Sequence, residues 1–174
     1  MTASLKRQLS VTKSADNFSI TGASGLLGNA LREHLNKFYN NIDAPSKSDL
    51  NFLVSDSTIK YFSKFEYYEA SGSHTSLNCV YHLAAYVGGV KANSERLATF
   101  YSHNAQMGIN FLDACSHSSV PKVVSVISPC VYPDTLYVSR SLTEDQLRIG
   151  PPHHSNFGYA YAKRMLDVLR EWRV

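Results

Sequence analysis

Residues 17–38, NFSITGASGLLGNALREHLNKF, change their hydrophobic period part-way along. Phe18 to Thr21 is a short run of strand type, glycines follow at 22, 25 and 28, and Leu27, Leu31, Leu35 and Phe38 then recur at the spacing of one helical face. Strand, glycine turn and helix in that order open a βαβ unit. Gly22 permits the sharp turn, Gly25 lets backbone N–H groups approach a pyrophosphate, and Gly28 lets the helix pack close to the strand. An anion held there meets the unpaired N–H groups and the positive end of the helix dipole. The spacing is GxxGxxG rather than the commoner GxGxxG, so the signal lies in its context, a strand before and an amphipathic helix after.

Working outward, short apolar runs alternate with helical patterns, which predicts a parallel sheet with helices on its faces. A weak second strand is expected around Ile42 to Ser46, a third around Leu50 to Val54, and a helix over residues 57–70. LNCVYHLAA, 77–85, is a buried strand, and 94–115 is a long helix with Phe100, Met107, Phe111 and Cys115 on one stripe. Asn104 falls on that inward stripe, so it either bridges to backbone or water or is placed for a site. Another strand runs from Lys122 to Ser128, a loop with Pro133, Pro151 and Pro152 follows, and a helix closes the chain.

That last helix carries FGYAYAKRM, 157–165. Side chains four apart share a face, so Tyr159 neighbours Lys163, while Tyr161 joins Met165, Val168 and Trp172 in a stripe expected to be buried. A phenol titrates near pH 10, and a neighbouring ammonium is expected to lower that value, letting Tyr159 act as an acid. Ser128, at the C-terminal end of a strand, is placed to hold a carbonyl oxygen while hydride arrives and the alkoxide takes a proton. Open α/β sheets bind their ligands at such strand ends. For the choice between NAD and NADP the relevant stretch is APSKSDL, 44–50. Ser46 and Lys47 would offer a donor and a positive charge to a 2′-phosphate, with Asp49 close by, which favours NADP.

The 174 residues suffice for one domain, expected over 17–174 after a flexible polar lead-in, 1–16. A hydrophobic content of 44% with 18% charged residues describes a soluble globular protein. The net charge of +3 is scattered, so no nucleic-acid partner is expected, and no run is apolar enough for a signal peptide or membrane span. A cytosolic protein is expected. Cys79, Cys115 and Cys130 are odd in number and far apart, which predicts free thiols and no zinc site. His153 and His154 are adjacent in a Gly-Pro-Pro loop, and sequence neighbours rarely converge on one metal.

Together, TGASGLLG, HLAA at 82–85, Asn104, the strand-ending Ser128 and YAYAK resemble the extended short-chain dehydrogenase/reductases that act on nucleotide sugars. YHLAAYVGGVKAN, SPCVYPD and GPPHHSNFGYAYAKRMLDV are similar, within that class, to the GDP-L-fucose synthase family. The resemblance implies a Rossmann-type doubly wound α/β domain that binds NADP(H). It implies 3,5-epimerisation and 4-reduction of GDP-4-keto-6-deoxy-mannose to GDP-L-fucose. Tyr159 and Lys163 would be the reductase pair, Ser128 would hold the keto oxygen, and Cys130 would shuttle protons in epimerisation. A cofactor site of Gly22, Ala23, Ser24, Gly25, Leu26, Leu27, Gly28, Lys47, Asp49, Ala84, Ala85, Ile127, Tyr159 and Lys163 follows from the same likeness. It also implies a homodimer through the helices carrying Asn104 and Lys163. Family members continue for more than a hundred residues beyond the position of Val174, supplying the last strands, most of the sugar-nucleotide domain and a second epimerisation acid/base. The expectation is therefore a cofactor-binding portion with impaired turnover, or else a non-catalytic NADP-binding or dimerisation fragment, or another nucleotide-sugar epimerase/reductase.

Overall fold

A computed structural model describes residues 14–65, 76–118, 120–135 and 141–170. Four strands, β1 (Ser14–Thr21), β2 (Tyr39–Asp43), β3 (Cys79–His82) and β4 (Val123–Ser125), form one parallel sheet in the order β2-β1-β3-β4. The helices are α1 (Leu26–Leu35), α2 (Ser55–Ser63), α3 (Val90–Glu95), α4 (Leu97–Ser116) and α5 (Phe157–Arg170). Short 3₁₀ turns span Pro129–Val131, Glu144–Arg148 and His154–Asn156. The chain steps from β1 outward to β2 and then back across to β3. The strand order therefore reverses between β1 and β3, and a crevice opens at their C-terminal ends.

Alternation along the strands builds a core on each face. Ile20 packs with Ala23 and Leu35, with Leu31, Tyr39 and Tyr81 around them, on the α1 side. Val80 packs with Phe62, Phe111, Ala114 and Cys115 on the side of α2 and α4. This is the doubly wound α/β arrangement.

Several boundaries differ from the sequence expectations. β1 begins at Ser14, inside the predicted lead-in, because pairing is made by backbone groups: Ser14 N–H donates to Phe38 O at 2.9 Å, whatever the polarity of the side chains. The remainder of that lead-in, 1–13, lies outside the described residues. β2 comes three residues earlier than expected, fixed by the register Phe18 to Ile42 and Ser19 to Asp43. Leu50 to Val54 is not a strand. Leu50 and Phe52 are buried loop anchors, and Phe52 O accepts the Asn110 side-chain N–H at 2.7 Å. The helix expected over 57–70 is α2, starting at Ser55, and 66–70 fall outside the described residues. The long helix breaks at Arg96, where ψ of 43° interrupts the helical path between α3 and α4. β3 and β4 are shorter than expected, leaving 83–89 and 126–128 as loops at the crevice.

Candidate active site

The floor of the crevice is where the glycine turn meets the loop after β3. Gly22 has φ of 71°, the left-handed region, and a Cβ there would stand 2.8 Å from Ala84 N. At Gly28 a Cβ would collide with the Gly22 carbonyl and come within 2.7 Å of Ala23 Cα. Thr21 Oγ1 accepts the Ala84 N–H at 3.3 Å and lies 2.9 Å from His82 Nδ1. Thr21 and His82 are thus tied by one buried hydrogen bond whose direction follows the imidazole tautomer. His82 is enclosed, stacked at 3.9 Å on Phe111, and burial pushes its pKa down to about 3, with the Lys163 charge acting in the same direction.

Above this floor lies a cleft of about 560 Å³. Of the residues singled out from sequence, Gly22, Ser24, Gly25, Leu26, Leu27, Gly28, Lys47, Ala84, Ala85, Tyr159 and Lys163 line it. Ala23 is buried behind the turn. Asp49 is not in the lining: its carboxylate accepts Ser46 N–H at 2.9 Å and Ser46 O–H at 2.6 Å, bonds that lower its pKa. It caps its own turn, which leaves Lys47 as the charge on the rim.

Asp43 is the acid that the sequence reading passed over. It ends β2, about twenty residues beyond the glycine turn, where a ribose-binding carboxylate stands in NAD-binding units. Here that carboxylate is taken. It accepts Ser19 O–H at 2.8 Å and Tyr61 O–H at 2.8 and 2.7 Å, and Lys64 Nζ lies 3.3 Å away. Placing β2 too late hid this residue.

Tyr159 and Lys163 share a face, with Nζ 5.9 Å from the Tyr159 ring centre. Lys163 is buried and donates to Val126 O at 3.2 Å, and burial pushes its pKa down to about 8. Tyr159 departs from expectation: burial first, and Cys130 second, push its pKa up rather than down. With desolvation raising its pKa, Tyr159 is a phenol at neutral pH and has a proton to give. Ser128 caps the 3₁₀ turn Pro129–Val131, its Oγ accepting Cys130 N–H at 3.3 Å, which leaves the hydroxyl proton available to an acceptor. Ile127, Ser128 and the half-buried Cys130 stand beyond the cleft lining, at the α5 end.

Tyr161 is not in a buried stripe. Its ring packs on Phe157 at 4.6 Å and edges a shallow apolar patch with Leu97, Ala98 and Tyr101, while Val168 is 55% exposed. Trp172 lies outside the described residues. Asn104 bridges backbone: its amide bonds to both the N–H and C=O of Tyr86. His103, which sequence reasoning missed, also lines the cleft, with Nδ1 3.0 Å from Thr99 O. His153 accepts Ser155 N–H within its loop. The three cysteines are free thiols.

A parallel sheet with a glycine-turn crevice and a Tyr–Lys helix beside it defines a dinucleotide-binding domain of the epimerase and reductase class. The chain belongs to the NAD dependent epimerase/dehydratase family, matched over residues 18–172. It is similar to the GDP-L-fucose synthase of Dictyostelium discoideum, 36% identical over 162 residues, 91% of this chain and 47% of that protein. A probable GDP-L-fucose synthase of Drosophila melanogaster is 32% identical over 86% of this chain and 44% of its own. The crystal structure of a GDP-L-fucose synthetase from Naegleria fowleri bound to NADP superposes with a TM-score of 0.74 at 32% identity, covering 93% of this chain and 45% of that one. The chain thus spans about half the length of the curated relatives it matches.

Proposed function

We propose that this chain is the cofactor-binding part of a GDP-sugar epimerase/reductase of the GDP-L-fucose synthase type, selective for NADP(H). The observation that carries the reading is the meeting of α5 with the 126–131 loop beside a cleft that the glycine turn also lines. The residues present fit the dinucleotide. The turn around Gly22 and Gly28 leaves no room for side chains, Ser24, Gly25 and Leu26 edge the cleft at the start of α1, and Lys47 offers a charge to a 2′-phosphate. Asp43, held by Ser19 and Tyr61, does not compete for that position.

NADPH, when bound, supplies the hydride for a 4-keto group. Ser128 O–H donates to the keto oxygen, and Tyr159 gives its phenolic proton to the oxygen as negative charge develops. Lys163, cationic below about pH 8, orients the ribose and stabilises the phenolate left behind. The Cys130 sulfur is the group that exchanges a proton with a carbon next to the ketone during epimerisation. The family likeness and the GDP-L-fucose synthases named above support a GDP-4-keto-6-deoxy-mannose substrate. The apolar patch across the N-terminal ends of α4 and α5 supports pairing with a second copy. No helix among the described residues is long and apolar enough to cross a membrane, and free thiols fit the cytoplasm.

Calorimetric titration with NADPH and NADH, repeated on Gly25→Trp, tests the cofactor reading. Saturable NADPH-selective binding, lost in the variant, is expected. A folded sample that binds neither nucleotide would reject it. Turnover of the GDP-keto sugar, lost in Tyr159→Phe, tests the chemistry.

A further inference from the structure

Arg164 follows Lys163 on α5, and successive helical side chains diverge by about 100°. The two cations nevertheless hold one loop, from its two ends. Lys163 Nζ donates to Val126 O at 3.2 Å, and Arg164 Nε donates to Val131 O at 2.6 Å. Between those carbonyls lie Ser128 and Cys130. A guanidinium is a poor choice if filling space were the whole requirement. Its Nη2 is enclosed with no partner among the described residues, and the group lies 5.2 Å over the Tyr161 ring. An enclosed, unpaired N–H opposes folding, and a methionine would fill the same volume without it.

We propose that Arg164 is a positioning residue for Cys130. Its bond to Val131 O holds the Pro129–Val131 turn closed and so sets where the thiol stands relative to Ser128 and Tyr159. The role of Cys130 in epimerisation rests on the function proposed above, whereas the geometric claim about Arg164 does not.

The test follows alkylation of each cysteine by iodoacetamide, read by peptide mass spectrometry on the whole chain, with buried Cys79 and Cys115 as internal controls. In Arg164→Met, Cys130 should react at least about fivefold faster, while the rates at Cys79 and Cys115 stay unchanged, as local opening of one turn requires. Arg164→Lys retains a donor for Val131 O and should return the rate to within about twofold of wild type. An unchanged Cys130 rate in Arg164→Met, a parallel rise at all three thiols, or no recovery in Arg164→Lys would overturn the assignment. NADPH titration of the same samples reports separately on the cofactor reading. A wild-type chain that fails to bind rejects that reading and leaves the thiol rates to decide Arg164.

Discussion

The side chain of Asn104 takes both backbone hydrogen bonds of Tyr86: Oδ1 accepts its N–H at 2.9 Å and Nδ2 donates to its carbonyl at 2.9 Å. One residue of α4 thereby carries the loop that walls the cleft after β3. Asn104→Leu keeps the volume and orphans both groups, with an expected loss of about 1–3 kcal/mol. Urea denaturation should show this loss, and NADPH affinity should fall about tenfold as the loop relaxes. Unchanged stability would mean that the loop is held by other contacts.

The three glycines of the turn should not be equivalent. Gly22→Ala forces a Cβ into the left-handed region against Ala84, and Gly28→Ala drives one into the Gly22 carbonyl. Each should cost about 1–3 kcal/mol in thermal or urea unfolding. Gly25→Ala meets only Gly22 O, at 3.3 Å, and should cost less than about 1 kcal/mol. Equal losses at all three would contradict the packing described.

His82 links stability to acid. Its pKa is about 3 in the fold and near 6.5 when exposed, so the unfolded chain binds the extra proton between those values. The neutral-histidine contribution is complete above about pH 6.5 and is lost as pH falls toward 3. By pH 4.5 the difference is on the order of 2–3 kcal/mol. Urea midpoints of wild type and His82→Gln at pH 7 and 4.5 should converge on acidification. Parallel slopes would remove His82 from the account.

Lys163 sets an alkaline limit. Burial lowers its pKa from 10.5 to about 8, so the folded protein sheds this proton earlier than the unfolded chain and stability rises through that window. Contacts that need the ammonium decline instead. NADPH affinity should fall with a midpoint near pH 8, and Lys163→Met should show weaker binding without that dependence. Affinity steady to pH 10 would argue against an ammonium contact.

Lys47 is the exposed cation on the cleft rim, and the nearby acids Asp43 and Asp49 are both occupied. Lys47→Glu should weaken NADPH binding at least tenfold, roughly 1.4 kcal/mol or more, and leave NADH within about threefold. An equal effect on both nucleotides would remove the 2′-phosphate from its role.

The strand–glycine–helix order and the Tyr159–Lys163 pairing were legible without coordinates, because each depends on the periodicity of one short segment. A helix brings residues four apart together wherever it is placed. β2 and the 50–54 loop were not legible: their sparse apolar residues serve backbone pairing and loop anchoring, which leave no period to count.

The α/β class, the glycine turn and the pairing of Tyr159 with Lys163 on one helical face follow from the sequence alone. Only the tertiary structure decided what surrounds them. Asp43 is engaged by Tyr61, 18 residues away, Lys163 by Val126, 37 away, and Arg164 by Val131, 33 away. The rise in the Tyr159 pKa has the same origin. Helical period is set by local dihedral angles, whereas desolvation and the choice of hydrogen-bond partner depend on which distant segments pack against a group.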